Sequence, residues 1–404
     1  MSGRDCDIAI IGGGLSGGLI ALALTRHRPE LAIRLIEAGP EPGGNHRWSW
    51  FASDLSPRGS ALMEGFHKAA WDEGYDIRFP AHERTLGTPY RSLASTDFAA
   101  RLERDLPEGS ILVNAPVAAL DEAGVDLEDG RRITARCVID CRGFAPTGHL
   151  EGGWQVFMGR HLRTPAPHGI TRPTIMDASV EQHAPYGNSG AYRFVYVLPL
   201  GERDLFIEDT YYADKPDLDR SMLSARIDQY QRKNGWEGET VGLETGVLPV
   251  ITGGDFAAYQ SQCRIPGVAT AGARGGFVHP LTSYTLPMAV DLALAIAADA
   301  DLPGDRMAAK VEALARQHWK RMGHYRMLGT MLFCGARPRE RYRVFERFYR
   351  LSERLIERFY TGRSTLLDKA RVLTGKPPIP ITRGIGALMS SAPPLQAPSR
   401  KDQT

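Results

Sequence analysis

The chain has 404 residues, of which 43% are hydrophobic and 24% charged, the profile of a globular protein with a sizeable core and more than one domain. Its 49 basic and 47 acidic side chains leave a formal charge of only +2, so no global field argues for nucleic acid, and fibrous or wholly disordered classes are excluded. The five cysteines (Cys6, Cys137, Cys141, Cys263 and Cys334) are scattered and form no Cys-x-x-Cys pair. They suggest neither a disulfide framework nor a metal site, and read as reduced thiols of a cytoplasmic protein.

The run Asp7-Ile8-Ala9-Ile10-Ile11 is short and β-branched and predicts a buried strand. It leads into Gly12-Gly13-Gly14-Leu15-Ser16-Gly17, a helical stretch over 19–25, and a second strand, Ile33-Arg34-Leu35-Ile36, that ends at Glu37. This is a βαβ unit with Gly-x-Gly-x-x-Gly in its first turn and an acid 20 residues past the third glycine, the pattern of a dinucleotide site. Gly12 allows the sharp turn, Gly14 lets a pyrophosphate approach the backbone, and Gly17 lets the helix lie close to the strand. The N–H groups of Leu15 and Ser16 at the helix start face the anion, and Glu37 is placed for the adenosine ribose. Beyond Glu37 the chain stays glycine-rich through Gly43, Gly44, Asn45 and His46, as in two-dinucleotide-binding-domain flavoproteins, where this stretch passes the flavin. That moves the expected ligand from NAD towards FAD. A surface loop is the plainer reading, against which stand His46, Trp48 and Trp50.

Short strands are predicted at 111–113 and 138–143. The stretch 152–212 is β-rich and contains a hairpin: an alternating run over 192–200, a polar turn at Gly201-Glu202-Arg203-Asp204, and a second run over 205–212. A late strand over 267–271 runs into Gly272-Ala273-Arg274-Gly275-Gly276, and a helix follows from about residue 286. Gly272 and Gly276 offer a second set of backbone donors to the flavin side, and Arg274 could neutralise pyrophosphate or pair with a carboxylate. The apolar stretch 286–300 is too short to span a bilayer and is broken by Asp291, and the N-terminus is no signal peptide, so neither is expected.

From about residue 305 the pattern is helical. Between 337 and 376 stand 12 basic and 5 acidic residues, interleaved with Tyr342, Phe345, Phe348, Tyr349, Phe359 and Tyr360. A solvated helical face and docking on an anionic bilayer both account for this; nucleic-acid binding has no accompanying motif. The tail from 390, with Pro393, Pro394 and Pro398, is expected to be disordered. The fold expected is α/β: a Rossmann-type FAD-binding domain, discontinuous over 1–80, 110–150 and 264–304. An antiparallel β substrate domain takes 81–109 and 151–263, and a helical C-terminal region 305–389.

Several of these segments together resemble the bacterial lycopene β-cyclases of carotenoid biosynthesis. They are Gly43-Gly44-Asn45-His46 with Trp48-Ser49; the hairpin with Tyr192-Arg193-Phe194-Val195-Tyr196 and Ile207-Glu208-Asp209-Thr210; and the block from Arg274 through His279 and Pro280 to Pro287. Arg347-Phe348-Tyr349 and Gly375-Lys376-Pro377-Pro378-Ile379-Pro380 complete the set. The likeness runs from about residue 7 to about 389. It implies flavin-dependent chemistry without net oxidation, with reduced FAD as the working form and NAD(P)H as its electron source. It further implies lycopene and related acyclic carotenoids as substrates, a place at the inner face of the cell membrane without a transmembrane helix, and other carotenoid enzymes as partners. One departure stands out: Thr282-Ser283-Tyr284-Thr285 replaces the family's usual Thr-Gly-Tyr-Ser, so Ser283 must adapt if that glycine is needed at positive φ.

Lycopene is a polyene hydrocarbon, and closing each end to a β-ionone ring takes a proton onto the terminal double bond and a proton off the ring. The site must supply an acid, stabilise a carbocation and exclude water. The resemblance implies that Glu208 is the acid–base group, and a carboxyl among apolar strand residues suits the role because burial favours its neutral form. Asp209 points to the opposite face. Trp48, Trp154, Phe194, Tyr196, Tyr211 and Tyr284 are candidate aromatic faces for the cation. His279 is the second catalytic candidate, as a flavin-orienting group or proton relay, with a turn histidine as the equal alternative. An oxidoreductase of isoprenoids (a monooxygenase or polyprenyl reductase) and a carrier that does no chemistry are the rival readings.

Overall fold

A computed structural model describes residues 3–182, 191–375 and 380–396. The predicted first strand, Cys6–Ile11, lies inside a seven-stranded sheet, parallel to Ile33–Ile36 on one side and Arg132–Asp140 on the other. Ile8, Ala9, Ile10 and Ile11 are buried on both faces of that sheet, which is why the run carries no polar alternation. The helix Leu15–His27 makes the crossover and packs on the apolar helix Leu286–Ala298. The expected late strand is short, Ala269–Thr270, and pairs in parallel with Arg132–Asp140.

The second sheet also has seven strands, in the order Glu239–Gly254, Leu150–Arg163, Asp204–Ala213, Tyr192–Pro199, Thr174–Asp177, Tyr75–Phe79 and His82–Leu86. The predicted hairpin is its middle, with Tyr196 opposite Glu208 and the turn closed between Gly201 and Asp204. A three-stranded sheet of Arg47–Phe51, Tyr90–Ala94 and Ala69–Trp71 comes from a chain segment that follows Ile33–Ile36 of the first sheet and brackets the second-sheet strands Tyr75–Phe79 and His82–Leu86.

These pairings draw the domains differently from the sequence. The boundary expected at 80 falls inside the antiparallel pair Tyr75–Phe79 and His82–Leu86, both part of the second sheet. The helix Ser95–Asp105, assigned to the substrate domain, packs instead on the first helix, where Gly18 lies under the Phe98 ring. Strand register and helix docking decide these borders, and neither is local in sequence. The described part of the region 305–389 is a series of mostly short helices joined by turns, and residues 376–379 of the Gly-Lys-Pro-Pro segment lie outside the described residues. The tail expected to be disordered from 390 is instead seated as far as Gln396. Leu395 is fully buried, its N–H donates to the Leu150 carbonyl at 2.9 Å, and Gly152 N–H donates to the Pro393 carbonyl at 2.9 Å. Residues 397–404 lie outside the described residues. No helix among the described residues is long and apolar enough to cross a membrane.

Candidate active site

One cavity of about 1050 Å³ lies between the two large sheets and is lined from both. On the first-sheet side, Gly12 turns at φ +94°, and a Cβ on Gly17 would stand 2.0 Å from the Gly12 carbonyl oxygen, so helix and strand meet here only because residue 17 is glycine. The helix starts at Gly14 with no side-chain cap and no acid in its first turn, which leaves its first N–H groups free for an anion. The space where a Gly14 side chain would stand is open. Ser16 Oγ is buried without a hydrogen-bond partner at the same end. Glu37 accepts the Gly13 and Gly39 N–H groups, each at 2.7 Å, which holds its carboxylate at the cavity wall with lone pairs remaining for ribose hydroxyls. An uncapped helix start, an open cradle, an orphaned hydroxyl and an anchored acid fit the pyrophosphate and ribose of a dinucleotide.

Of the residues expected around that ligand, Gly12, Gly14, Leu15, Ser16, Glu37, Gly44, His46 and Gly272 line the cavity. Gly272 lies against Ser16, where a Cβ would approach the Ser16 Cβ to 2.9 Å. Gly17, Asn45, Arg274 and Gly276 do not line it, and each has a structural task. Gly17 serves the helix–strand contact, and Asn45 Nδ2 donates to the Leu243 carbonyl at 2.7 Å. Gly276 closes a turn at φ +83° beneath the Phe256 ring. Arg274 Nε donates to the Arg142 carbonyl at 3.0 Å and lies 3.7 Å from buried Asp140. Arg142 lines the cavity in its place, with its guanidinium held by two bonds to Asp140 at 2.9 and 2.8 Å.

The opposite wall is one face of the second sheet. Glu208 lies there between Tyr196 on one neighbouring strand and Gly159 on the other. Its Oε1 accepts the Thr210 hydroxyl at 2.7 Å. Burial in this apolar enclosure, with Glu244 as a second cause, pushes the carboxyl up to about 8, so it holds a proton at neutral pH. Asp209 points to the far face, where it pairs with buried Arg193 at 2.8 Å and accepts the Tyr211 hydroxyl at 2.7 Å. Of the aromatic candidates, Trp48, Trp154, Tyr196 and Tyr284 line the cavity. Phe194 does not line it but stacks on Tyr192 and packs edge-on behind Tyr196, and Tyr211 is on the far face.

His279 is not a wall residue. It is fully buried in the turn after Gly276, where its carbonyl accepts the Ser283 N–H at 2.9 Å and its Nδ1 accepts the Thr282 N–H at 3.3 Å. Tyr325 and Phe359 enclose the ring, and burial pushes it down to about 3, so it stays neutral. The structure therefore places it as the turn histidine rather than the relay. What it shapes is the turn carrying Ser283, which stands at φ +58° where the family usually has glycine; its Oγ donates to the Pro249 carbonyl at 2.8 Å.

Sequence reasoning missed three groups here. Glu244 is on the wall and 6% exposed, and burial pushes it up to about 7. Arg47 lies beside it, over the Phe206 ring at 5.3 Å. Gln155 Oε1 is buried without a partner. The signal for Glu244 was faint: Val241-Gly242-Leu243-Glu244-Thr245-Gly246 mixes glycines into a weakly alternating strand, and only pairing with Leu150–Arg163 brings it to the cavity.

The family described as "Lycopene cyclase protein" matches residues 7–385. The chain is 41% identical over 388 residues to a lycopene beta-cyclase of Pseudescherichia vulneris, covering 96% of this chain and 98% of that one. It is 40% identical over 383 residues to a lycopene beta-cyclase of Paracoccus sp., covering 95% and 97%. Among solved structures, a flavin-dependent halogenase from Xanthomonas campestris superposes with a TM-score of 0.55 at 12% identity, covering 97% of this chain and 99% of that one, which is a likeness of fold.

Proposed function

The chain belongs to the lycopene cyclase family and works as a lycopene cyclase, and on that premise we propose that Glu208 delivers the proton that closes each end of lycopene to a β-ionone ring, giving γ-carotene and then β-carotene. The observation that carries this is a carboxyl seated among apolar strand residues, where burial raises its pKa, facing a dinucleotide cradle across one cavity. Gly12, Gly14, Leu15, Ser16, Glu37, Gly44 and Gly272 would hold FAD, with Arg142 near its phosphates. Bound there in reduced form, with NAD(P)H as the electron source, FAD would supply negative charge that stabilises a cation without being consumed.

The rest is done by the chain. The Glu208 O–H bond breaks and a C–H bond forms at the terminal double bond, leaving a tertiary cation. The neighbouring double bond closes the ring, and loss of a ring proton restores neutrality, so no electrons are transferred overall. Phe157, Tyr196 and Phe206 line this space, and an aromatic face presented to a cation is worth about 0.5–2 kcal/mol. The enclosed wall keeps water from capturing the cation as an alcohol. The test is Glu208→Gln, purified with its flavin content measured and supplied with lycopene under reducing, anaerobic conditions. We expect full flavin and no β-carotene; normal conversion would refute the assignment.

The helical region also supports peripheral membrane docking. Leu366 and Leu367 are 83% and 82% exposed at the start of the helix Leu366–Leu373, and a nearby surface cleft is lined by Arg343, Arg347, Arg350 and Arg371. Apolar side chains flanked by guanidinium groups suit an anionic bilayer that also stores the hydrocarbon substrate. Leu366→Glu with Leu367→Glu should leave the protein in the supernatant when vesicles of anionic phospholipid are sedimented. Unchanged recovery in the pellet would count against this surface.

A further inference from the structure

The register of the second sheet sets two carboxylates against one glycine. Gly159, on the strand Leu150–Arg163, has Glu208 opposite it on one side and Glu244 opposite it on the other. Residues directly opposite in a sheet share a face, so both side chains rise on the cavity side from backbones about 10 Å apart, two strand spacings. Gly159 places no side chain between them, and both line the cavity.

Their surroundings differ. Glu244 Oε1 accepts the Arg47 N–H at 3.0 Å, its neighbour Leu243 is tied to Asn45, and the His46 ring nitrogen lies 3.9 Å away. The Arg47 guanidinium lies on the same side and favours the charged form of Glu244. Glu208 receives the Thr210 hydroxyl and makes no ion pair among the described residues. The other groups facing Glu208 are Tyr196 on the adjacent strand and Tyr90 on the three-stranded sheet, both neutral, with Asp209 on the far face; the Arg47 cation also acts on Glu208, as the last and smallest of its influences, whereas Glu244 has both the Arg47 backbone N–H and its charge. Two carboxyls in one apolar enclosure do not both ionise readily, and the one with donors and a cation nearby ionises first.

We infer that Glu244 is the second acid–base residue of the cyclase: ionised while Glu208 is protonated, it takes the proton that leaves the ring. This rests on the reading of Glu208 as the acid. In the cycle, Glu208 loses its proton to the terminal double bond, the ring C–H bond beside the cation breaks, and an O–H bond forms on Glu244. Transfer of that proton back to Glu208 resets the pair, and neither oxidant nor reductant is needed. A division between two carboxylates lets proton entry and exit occur at different carbons of the forming ring without rotating it.

The test compares the pH dependence of kcat/KM for the flavin-loaded wild type with Glu244→Gln and Glu244→Asp, with bound flavin measured in each. The wild type should show an acid limb from Glu244 and an alkaline limb from Glu208. Glu244→Gln should keep its flavin, lose on the order of 10²- to 10⁴-fold in turnover, and lose the acid limb. Its alkaline limb should move to lower pH, because Glu208 no longer faces a neighbouring anion. Glu244→Asp should recover the acid limb at reduced rate. Wild-type turnover with both limbs intact in Glu244→Gln would overturn the inference. So would loss of flavin in that variant with no recovery in Glu244→Asp, since that pattern marks a structural role. An inactive Glu208→Gln beside a fully active Glu244→Gln would sink this inference alone, whereas an active Glu208→Gln would sink the reading beneath it.

Discussion

Gly159→Ala tests the site without touching either carboxylate. A Cβ at this position would stand 2.2 Å from Phe206 Cζ and 2.9 and 3.0 Å from its two Cε atoms. Carbon atoms pack at about 3.5–4.0 Å, so the ring tip must retreat by about 1.5 Å. The ring covers the glycine from the neighbouring strand, with the Arg47 guanidinium 5.3 Å from its centre, so it can yield only into the cavity or against Arg47. Overpacking of this kind costs about 1–3 kcal/mol. Replacing a strand glycine returns about 0.5–1 kcal/mol through the unfolded chain, for a net loss of about 1–2 kcal/mol. The larger effect is on chemistry: a misplacement of about 1 Å near reacting groups can cost on the order of 100-fold in rate. The assay is denaturant unfolding together with single-turnover conversion of lycopene by the flavin-loaded variant. A folded, flavin-replete protein with turnover down on the order of 100-fold is expected. Wild-type stability and turnover would show that the ring over Gly159 does not position the pair.

Three further outcomes follow from the same geometry. Glu208 has its folded pKa raised from an ordinary 4.5 to about 8, so it favours folding when protonated and that contribution is lost as pH rises between those values. Glu208→Gln should therefore match the wild type in melting temperature near pH 4 and exceed it above pH 8; a constant difference across that range would contradict a buried proton. At Ser283, alanine keeps the positive φ but removes the bond to the Pro249 carbonyl, whereas glycine removes the bond and relieves the strain, by about 1 kcal/mol. Ser283→Ala should then unfold at lower denaturant than Ser283→Gly, and the reverse order would refute the strain. Asp209→Asn takes from buried Arg193 the carboxylate it pairs with, leaving Glu181 as the remaining anion acting on it, and should cost about 3 kcal/mol. Because the pair faces away from the cavity, turnover per folded molecule should stay within a few-fold of wild type, and a loss comparable to that of Glu208→Gln would contradict the facing.

What the amino-acid order determined by itself is the part built from neighbours in the chain. The glycine turn between Ile11 and the first helix, the acid at Glu37, and the hairpin that separates Glu208 from Asp209 all follow from spacings of a few residues, where φ freedom, helix ends and strand alternation act directly. Tertiary structure decided the rest. Glu244 meets Glu208 only through a third strand whose Gly159 lies 49 and 85 positions before them, and no local preference encodes that register. Arg142 lines the cavity and Arg274 holds its turn because buried Asp140 claims one guanidinium fully and leaves the other to a backbone carbonyl. His279 carries the residue type of a relay, yet burial among Tyr325 and Phe359 makes it a neutral strut. A short motif can name the reactive atom, but the charge state of that atom depends on what packs around it, and packing is decided by segments far apart in the chain.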